Sequence, residues 1–379
     1  MKDILIIHQS AEMYGSDRML YLTVTGLDKA MFTPVVVLPG EGPLKTELEN
    51  QRIKVVTAPV LKVYRKMFTP GNLWAFIKDI RKSVAVLDEL NAVYNFDIVY
   101  SNTLAVLLGM IYARKKKLKH LWHVHEIIVH PKIFAETYPK LLRWTTNVVV
   151  CNSEATRNNL VQRQPALSKK TVVVHNGPVL LTRGNNTAIK ADFGFSESDI
   201  IITLVGRISR LKGHKWLLNT FSKHLKQTPA KLLFVGSPVP GQEIYLDEVE
   251  NIIRQESLEE KVTIIPYTKD LDSVWQVTDI AVMPSTEAES FGLVALEAML
   301  AHKPVVGSRH GGLTEIVVDN ETGFLAHPGE EDGLAKALIK LIENPELRKR
   351  FGNKGYERAV SKFSQEKYIE NLTSVLQSL

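Results

Sequence analysis

Two short segments of this sequence set charged side chains among glycines directly after an apolar run. The first is Pro284-Ser285-Thr286-Glu287-Ala288-Glu289-Ser290-Phe291-Gly292-Leu293-Val294-Ala295-Leu296-Glu297-Ala298-Met299, which follows Ile280–Met283. A helix is expected to begin near Ser290–Gly292, and its free N–H groups suit an anion. Glu289 falls just before that start, and Glu297 just over two turns along. An ionised carboxylate only accepts hydrogen bonds, so the pair suits hydroxyl-rich partners such as ribose or hexose diols. Two glutamates near a helix start are by themselves more often solvated surface. Phe291 and Gly292 between them, just past a buried strand, set this segment apart.

The second segment is Leu204-Val205-Gly206-Arg207-Ile208-Ser209-Arg210-Leu211-Lys212-Gly213-His214. Arg207 can fork onto two phosphate oxygens and Lys212 adds a point charge, which fits a diphosphate. A loop with surface cations fits the same residues equally well. A third segment is Leu121-Trp122-His123-Val124-His125-Glu126. Alternation puts His123 and His125 on one side of a strand. A metal would need a third ligand that is not evident. A histidine at the strand's end could instead hydrogen-bond a hydroxyl or stabilise developing charge. A structural histidine is the commoner reading.

The elements that must position these groups alternate strand and helix. Strands are expected at Ile4–Ile7, Val35–Leu38, Lys54–Val56, Asp97–Ser101, His120–Val124, Val148–Cys151 and Thr171–His175 in the first half. In the second half they are expected at Ile201–Val205, Lys231–Val235, Val262–Ile265, Ile280–Met283, Pro304–Val306 and Gly323–Ala326. Most are continuous apolar runs, as in strands buried on both faces. Helix-like stretches lie between them, among them Ser16–Leu27, Leu73–Leu90, Leu104–Lys116, Lys215–Leu225 and Gly292–Leu300. The fold class is α/β, with two doubly wound parallel sheets. Asn176-Gly177-Pro178 and the polar Thr182–Lys190 read as a linker. The expected domains are 1–180 and 181–379, with the last helix a candidate to pack back on the first. No G-x-G-x-x-G follows the first strand and no Walker A lysine is present, which weakens dehydrogenase and P-loop readings.

The chain has 379 residues and one cysteine, Cys151, so a disulfide framework and a cysteine zinc cluster are excluded. Ile4–Ile7 is too short for a secretory signal, and the apolar run Leu104–Ala113 is far short of a membrane span. A cytosolic, reduced setting is expected. Residues 1–180 carry 24 Lys and Arg against 14 Asp and Glu; residues 181–379 carry 23 against 27. A basic half beside a mildly acidic one suggests an anionic partner, either nucleic acid or a membrane face. Solvated surface lysine is the plainer account. The patches to test are Arg114-Lys115-Lys116-Lys117 with Lys119, and Tyr64-Arg65-Lys66-Met67-Phe68.

Taken together, Gly206-Arg207 with Lys212-Gly213, Glu289-Ser290-Phe291-Gly292-Leu293 through Glu297-Ala298-Met299, Pro304-Val305-Val306, and His310-Gly311-Gly312 with Glu315 resemble a retaining glycosyltransferase of family 4. The resemblance extends to Val148–Ser153, His175-Asn176-Gly177 and Asp319–Leu325, and so covers nearly the whole chain. It implies a GT-B fold, with two Rossmann-like domains and an active site between them. It implies that Glu297 holds the nucleotide ribose and Glu289 contacts hydroxyls of the transferred sugar. Arg207 and Lys212, next to Gly206, would bind the diphosphate. Backbone N–H groups of Phe291, Gly292 and Leu293 would face the sugar and phosphates. Gly15 would let the first loop approach the donor, and Tyr267 would lie at the base. His125 would be the histidine near the transferred sugar, preferred over His123 because it precedes an acid.

Two departures stand out: Tyr14-Gly15-Ser16-Asp17 has lost one glycine, and His302 stands where the family usually has Gly, at a turn that can require positive φ. Retention of configuration and metal independence are expected, with Arg207 and Lys212 as the counter-charge and no cofactor beyond the nucleotide-sugar co-substrate. The implied partners are a nucleotide-sugar donor and a glycan or lipid-linked acceptor, such as O-antigen or capsule, at the cytoplasmic face of the inner membrane. A nucleotide-sugar binder without turnover, a nucleic-acid-binding protein and a GT-B epimerase or phosphorylase are the competing readings. Nucleic acid is not expected, because no recognised aromatic-basic interleaving appears.

Overall fold

Ile4, Leu5, Ile6 and Ile7 are fully buried. A run apolar on both faces suits a central parallel strand, and it forms β1 (Lys2–His8). The computed structural model describes residues 1–61, 70–178 and 187–379. Chain contacts group into two units, Met1–Val179 with Gln365–Leu379, and Leu180–Ser364.

In the first unit β1 is followed by α1 (Gly15–Gly26), β2 (Phe32–Leu38), α2 (Pro43–Asn50), β3 (Lys54–Thr57), α3 (Pro70–Tyr94) and β4 (Ile98–Asn102). Then come α4 (Leu108–Lys116), β5 (Lys119–Val124), α5 (Lys132–Thr145), β6 (Val148–Cys151), α6 (Glu154–Arg163) and β7 (Thr171–Val173). The strands form one parallel sheet in the order β3-β2-β1-β4-β5-β6-β7. Chain order reverses between β1 and β4, so the loops leaving those strands diverge and open a crevice at the strand ends. Register sets His8 opposite Asn102, and Asn102 opposite His123.

The second unit repeats the plan with β8 (Ile200–Val205), α7 (His214–His224), β9 (Ala230–Val235), α8 (Ile244–Gln255), β10 (Val262–Ile265), α9 (Leu271–Val277) and β11 (Ile280–Met283). It continues with α10 (Leu293–Leu300), β12 (Val305–Ser308), α11 (Leu313–Ile316), β13 (Gly323–Ala326), α12 (Glu331–Glu343) and α13 (Pro345–Lys362). Its parallel sheet has the order β10-β9-β8-β11-β12-β13, with the switch between β8 and β11. One apolar cluster, including Phe221, Phe234 and Leu338, and a second, including Leu233, Trp275 and Met299, form its core.

The final helix, α14 (Gln365–Gln377), groups with the first unit. Tyr368 is buried and its hydroxyl meets Thr23 Oγ1 of α1 at 2.5 Å. Gly26 leaves room for Ile369, whose Cδ1 would lie 2.6 Å from any Cβ there. Lys2 Nζ donates to the carbonyls of Leu376 (3.2 Å) and Gln377 (3.0 Å), closing the helix end with a cation. Tyr368→Phe is expected to cost about 1–2 kcal/mol, because the Thr23 hydroxyl then loses a buried partner. Urea unfolding checks this, and an unchanged midpoint would remove the contact from the stability of this unit.

Two local expectations shift. The helix expected from Leu104 begins at Leu108, because Thr103 takes φ +78° and the Leu104 N–H is held by the Glu126 carboxylate. The strand expected to reach His175 ends at Val173. His302 does adopt φ +57° at the turn before β12, stacked on Tyr356 with ring centroids 4.1 Å apart. Of the expected linker, residues 182–186 lie outside the described residues, as does the 64–68 patch.

Candidate functional site

β8 and β11 are neighbours, so the loops leaving them, 206–213 and 284–292, emerge side by side. Gly213 makes their close approach possible. It holds φ +77°, and a Cβ there would sit 1.7 Å from the Pro284 carbonyl oxygen. The Thr286 N–H donates to Leu211 O at 2.9 Å, its hydroxyl to Arg210 O at 3.0 Å, and Arg210 pairs with Glu287. At the centre, Lys212 Nζ lies 2.7 Å from Glu289 Oε1, and the Ser285 hydroxyl donates to the same oxygen at 2.5 Å.

Burial pushes the Glu289 carboxyl up, but the charge and hydrogen bond of Lys212, the Ser285 hydroxyl and the nearby His310 outweigh it. The group therefore titrates below the usual carboxylate range. The loop after β12 supports it from beneath: Gly311 holds φ +62°, where a Cβ would come within 2.3 Å of Glu289 O, and the Gly312 N–H donates to that carbonyl at 2.8 Å. An ammonium has three donors, and Lys212 uses one on Glu289.

Gly292, at φ +119°, is the N-cap of α10, so Leu293 and not Ser290 is the first helical residue. Glu297 accordingly lies about one turn into the helix, not two, and is buried. Phe291 is buried edge-on against Phe363, the C-cap of α13, with ring centroids 5.8 Å apart. Arg207 follows Gly206 at the end of β8 and is exposed. Tyr267 follows β10 and is exposed as well. Ser237 links these loops, because Ile208 N donates to its carbonyl (3.1 Å) and Tyr267 N to its hydroxyl (3.0 Å). Nothing in the local sequence around Ser237 signals that bridge, which depends on the order of β8, β9 and β10.

A second polar cluster crosses the strand ends of the first unit. His8 ends β1, Asn102 ends β4, and His125 directly follows β5. His8 Nε2 is 2.6 Å from Asp17 Oδ1, Asn102 Nδ2 is 2.9 Å from His8 Nδ1, and His125 Nε2 is 2.9 Å from Asn102 Oδ1. His123 is fully buried and meets Tyr100 OH at 2.5 Å, whereas His125 is half-buried, its ring 4.0 Å from that of His123. Burial depresses both imidazoles, His125 to about 3, so both are neutral at pH 7. Gly15 is exposed at the start of α1, beside the Asp17 that joins this cluster.

Comparison with known proteins bears on these sites. The family profile described as Glycosyltransferase Family 4 matches residues 13–178, and the one described as Glycosyl transferases group 1 matches residues 185–358. The chain belongs to the family 4 glycosyltransferases. The chain is 29% identical over 189 residues to the N-acetyl-alpha-D-glucosaminyl L-malate synthase of Bacillus anthracis, covering 50% of the chain and 48% of that enzyme. The chain thus spans about half the length of that relative. It is 25% identical to an uncharacterized glycosyltransferase of Methanocaldococcus jannaschii, covering 88% and 87% of the two chains. The structure of Anabaena HepE in complex with UDP-glucose superposes with a TM-score of 0.85 at 25% identity over the full length of both chains. The fold class is GT-B.

The chain contains one Asp-x-Asp sequence, Asp270-Leu271-Asp272. It is used to start α9: Asp270 accepts from Ser273 N (3.1 Å) and Ser273 Oγ (2.6 Å), and Asp272 accepts from Gln276 (3.1 Å). Glu126 is used differently. One oxygen, Oε2, accepts the N–H groups of Leu104 and of His125, each at 3.1 Å, which fixes the backbone that carries His125. Burial pushes the Glu126 carboxyl up to about 7, against the pull of those two N–H groups. The native state therefore holds a proton that the unfolded chain has lost between about pH 4.5 and 7, and stability falls as pH rises through that window. Glu126→Gln keeps an oxygen for both N–H groups and removes the titration. Its melting temperature should gain on that of the parent between pH 5 and 8. A pH-independent difference in thermal melts would contradict this.

Proposed function

We propose that this chain is a retaining glycosyltransferase that moves a hexose or deoxyhexose from a nucleoside-diphosphate sugar to a hydroxyl of a glycan or lipid-linked acceptor. The observation that carries the reading is the Lys212–Glu289 pair, held by Gly213 and Gly311 at the switch point of a doubly wound sheet. That is where such sheets bind nucleotides. A uridine donor is the first to test, given the 25% identity to a protein whose structure holds UDP-glucose. Arg207 and Lys212 take the diphosphate, Glu289 the sugar hydroxyls, Glu297 the ribose, and Tyr267 the base. The N–H groups of Phe291, Gly292 and Leu293 face the phosphates, and His125 the transferred sugar.

As the C1–O bond to the diphosphate breaks, negative charge grows on the leaving oxygen and positive character on the sugar ring. The fixed cations and the start of α10 act where that negative charge develops. The acceptor hydroxyl adds on the same face, its proton passing to the departing phosphate, so configuration is retained. Arg207 and Lys212 supply the counter-charge, and no divalent ion is invoked.

The acceptor is proposed to lie at an anionic membrane surface met by the basic first unit. Lys115 and Lys116 are partly spent there, since both pair with Asp88 (2.6 and 2.8 Å) and hold its carboxyl down to about 2. Arg114, Lys117 and Lys119 are exposed and carry the test. Changing all three to Glu should reduce sedimentation with anionic liposomes, and unchanged sedimentation would end the membrane part of the reading.

The donor reading is tested by a thermal-shift series over UDP, GDP, dTDP and their sugars. The matching nucleotide at 100 times its Kd stabilises by about 2.7 kcal/mol, which is readily seen as a shift in Tm. Arg207→Ala should abolish that shift. No shift with any nucleotide diphosphate would refute the reading.

A further inference from the structure

The buried chain Asp17, His8, Asn102, His125 has a direction. Asp17, His8 and Asn102 are all but fully buried, so each polar atom depends on its protein partner. Asp17 Oδ2 is already occupied by the Tyr14 N–H at 2.9 Å, and Oδ1 faces His8 Nε2. A carboxylate only accepts, so His8 Nε2 carries the hydrogen. Asn102 Nδ2 lies 2.9 Å from His8 Nδ1 and can only donate, so His8 Nδ1 is the lone pair. This turns the amide oxygen of Asn102 to His125 Nε2, which must in turn donate. With Nε2 as the donor, His125 Nδ1 is left as a lone pair.

From this order of donors and acceptors we infer that Asp17, His8 and Asn102 are positioning residues that lock His125 in its Nε2–H tautomer. His125 then offers Nδ1 only as an acceptor, for the O–H group of a sugar. The inference rests on the proposed function for the identity of that O–H group; the tautomer lock itself does not. The neighbouring His123 is tied to Tyr100 and supplies no competing charge. His125 on this account holds and orients a hydroxyl, and it does not donate a proton to the leaving group.

Asp17→Asn is the decisive variant. The Tyr14 N–H demands an acceptor on one side, so the new side chain must keep its oxygen there and turn its NH2 toward His8. His8 Nε2 becomes an acceptor, Nδ1 a donor, the Asn102 amide reverses, and His125 Nε2 must accept. The hydrogen moves to His125 Nδ1. One isosteric change thus reverses every bond in the chain.

The test is nitrogen NMR of the full chain with labelled histidine, with the His125 signals assigned by their loss in His125→Asn. In the parent protein His125 Nε2 is expected to be pyrrole-like and Nδ1 pyridine-like, with the two exchanged in Asp17→Asn. A parent His125 with a protonated Nδ1, or with both nitrogens averaged, overturns the lock without reference to activity. The parent spectrum decides this even if the variant folds poorly, and Asn102→Leu, which cuts the chain, should give averaged signals. Turnover with the donor that the thermal-shift series selects should fall about tenfold or more in Asp17→Asn with its nucleotide-diphosphate affinity unchanged. An exchanged tautomer with full turnover would leave the lock standing and overturn the placing of His125 against the sugar.

Discussion

Replacing Lys212 with alanine is expected to lower turnover by about two to three orders of magnitude, the usual cost of removing one fixed group from a developing charge. Two effects add. On the proposed reading the ammonium no longer faces the leaving diphosphate, and Glu289 loses the partner 2.7 Å away that holds its carboxyl down. With burial then the main influence, the Glu289 carboxyl rises, so the acid limb of the rate profile should move to higher pH in the variant. Lys212→Arg keeps a charge but not the point charge that meets Glu289 Oε1, and should recover only part of the rate. Steady-state rates across pH 4–8 check the pair of claims. A Lys212→Ala enzyme within twofold of the parent would remove the ion pair from the chemistry.

Gly213→Ala is expected to be the most damaging single substitution in the second unit, at about 2–5 kcal/mol. The added Cβ meets both a strained φ of +77° and the Pro284 carbonyl oxygen at 1.7 Å. That oxygen is backbone and not the end of a flexible side chain, so the loops after β8 and β11 must separate, and Lys212 moves off Glu289. Gly194 supplies the control. It has nearly the same φ, +78°, but open space around its Cβ position. Gly194→Ala should therefore cost only the backbone term, about 1–2 kcal/mol. Denaturant unfolding of the two variants separates strain from collision. Equal losses would show that the approach of the two loops is not what Gly213 secures.

Much of this protein is written locally in its sequence. Ile4–Ile7 and Ile280–Met283 are apolar on both faces, and such runs can be stable only as interior strands of a parallel sheet. Glycine at 213, 292 and 311 marks positive φ, and even His302, where a glycine was the expected residue, takes it. The segments holding Lys212 and Glu289 were therefore identifiable as charged loops at strand ends. The meeting of those two residues was not, because they lie 77 positions apart and only the adjacency of β8 and β11 joins them.

The same holds for His8, Asp17 and Asn102, which look unremarkable in their own segments and become a directed chain once β1, β4 and β5 lie side by side. The return of α14 to the first unit likewise depends on a pocket at Thr23 and Gly26, more than three hundred residues earlier. Periodicity and backbone preference act over a few residues, so sequence alone determined the elements and the residue types at their ends. Hydrogen-bond direction and charge pairing act through space over about 3 Å, so only the packed sheets decided which of those residues work together.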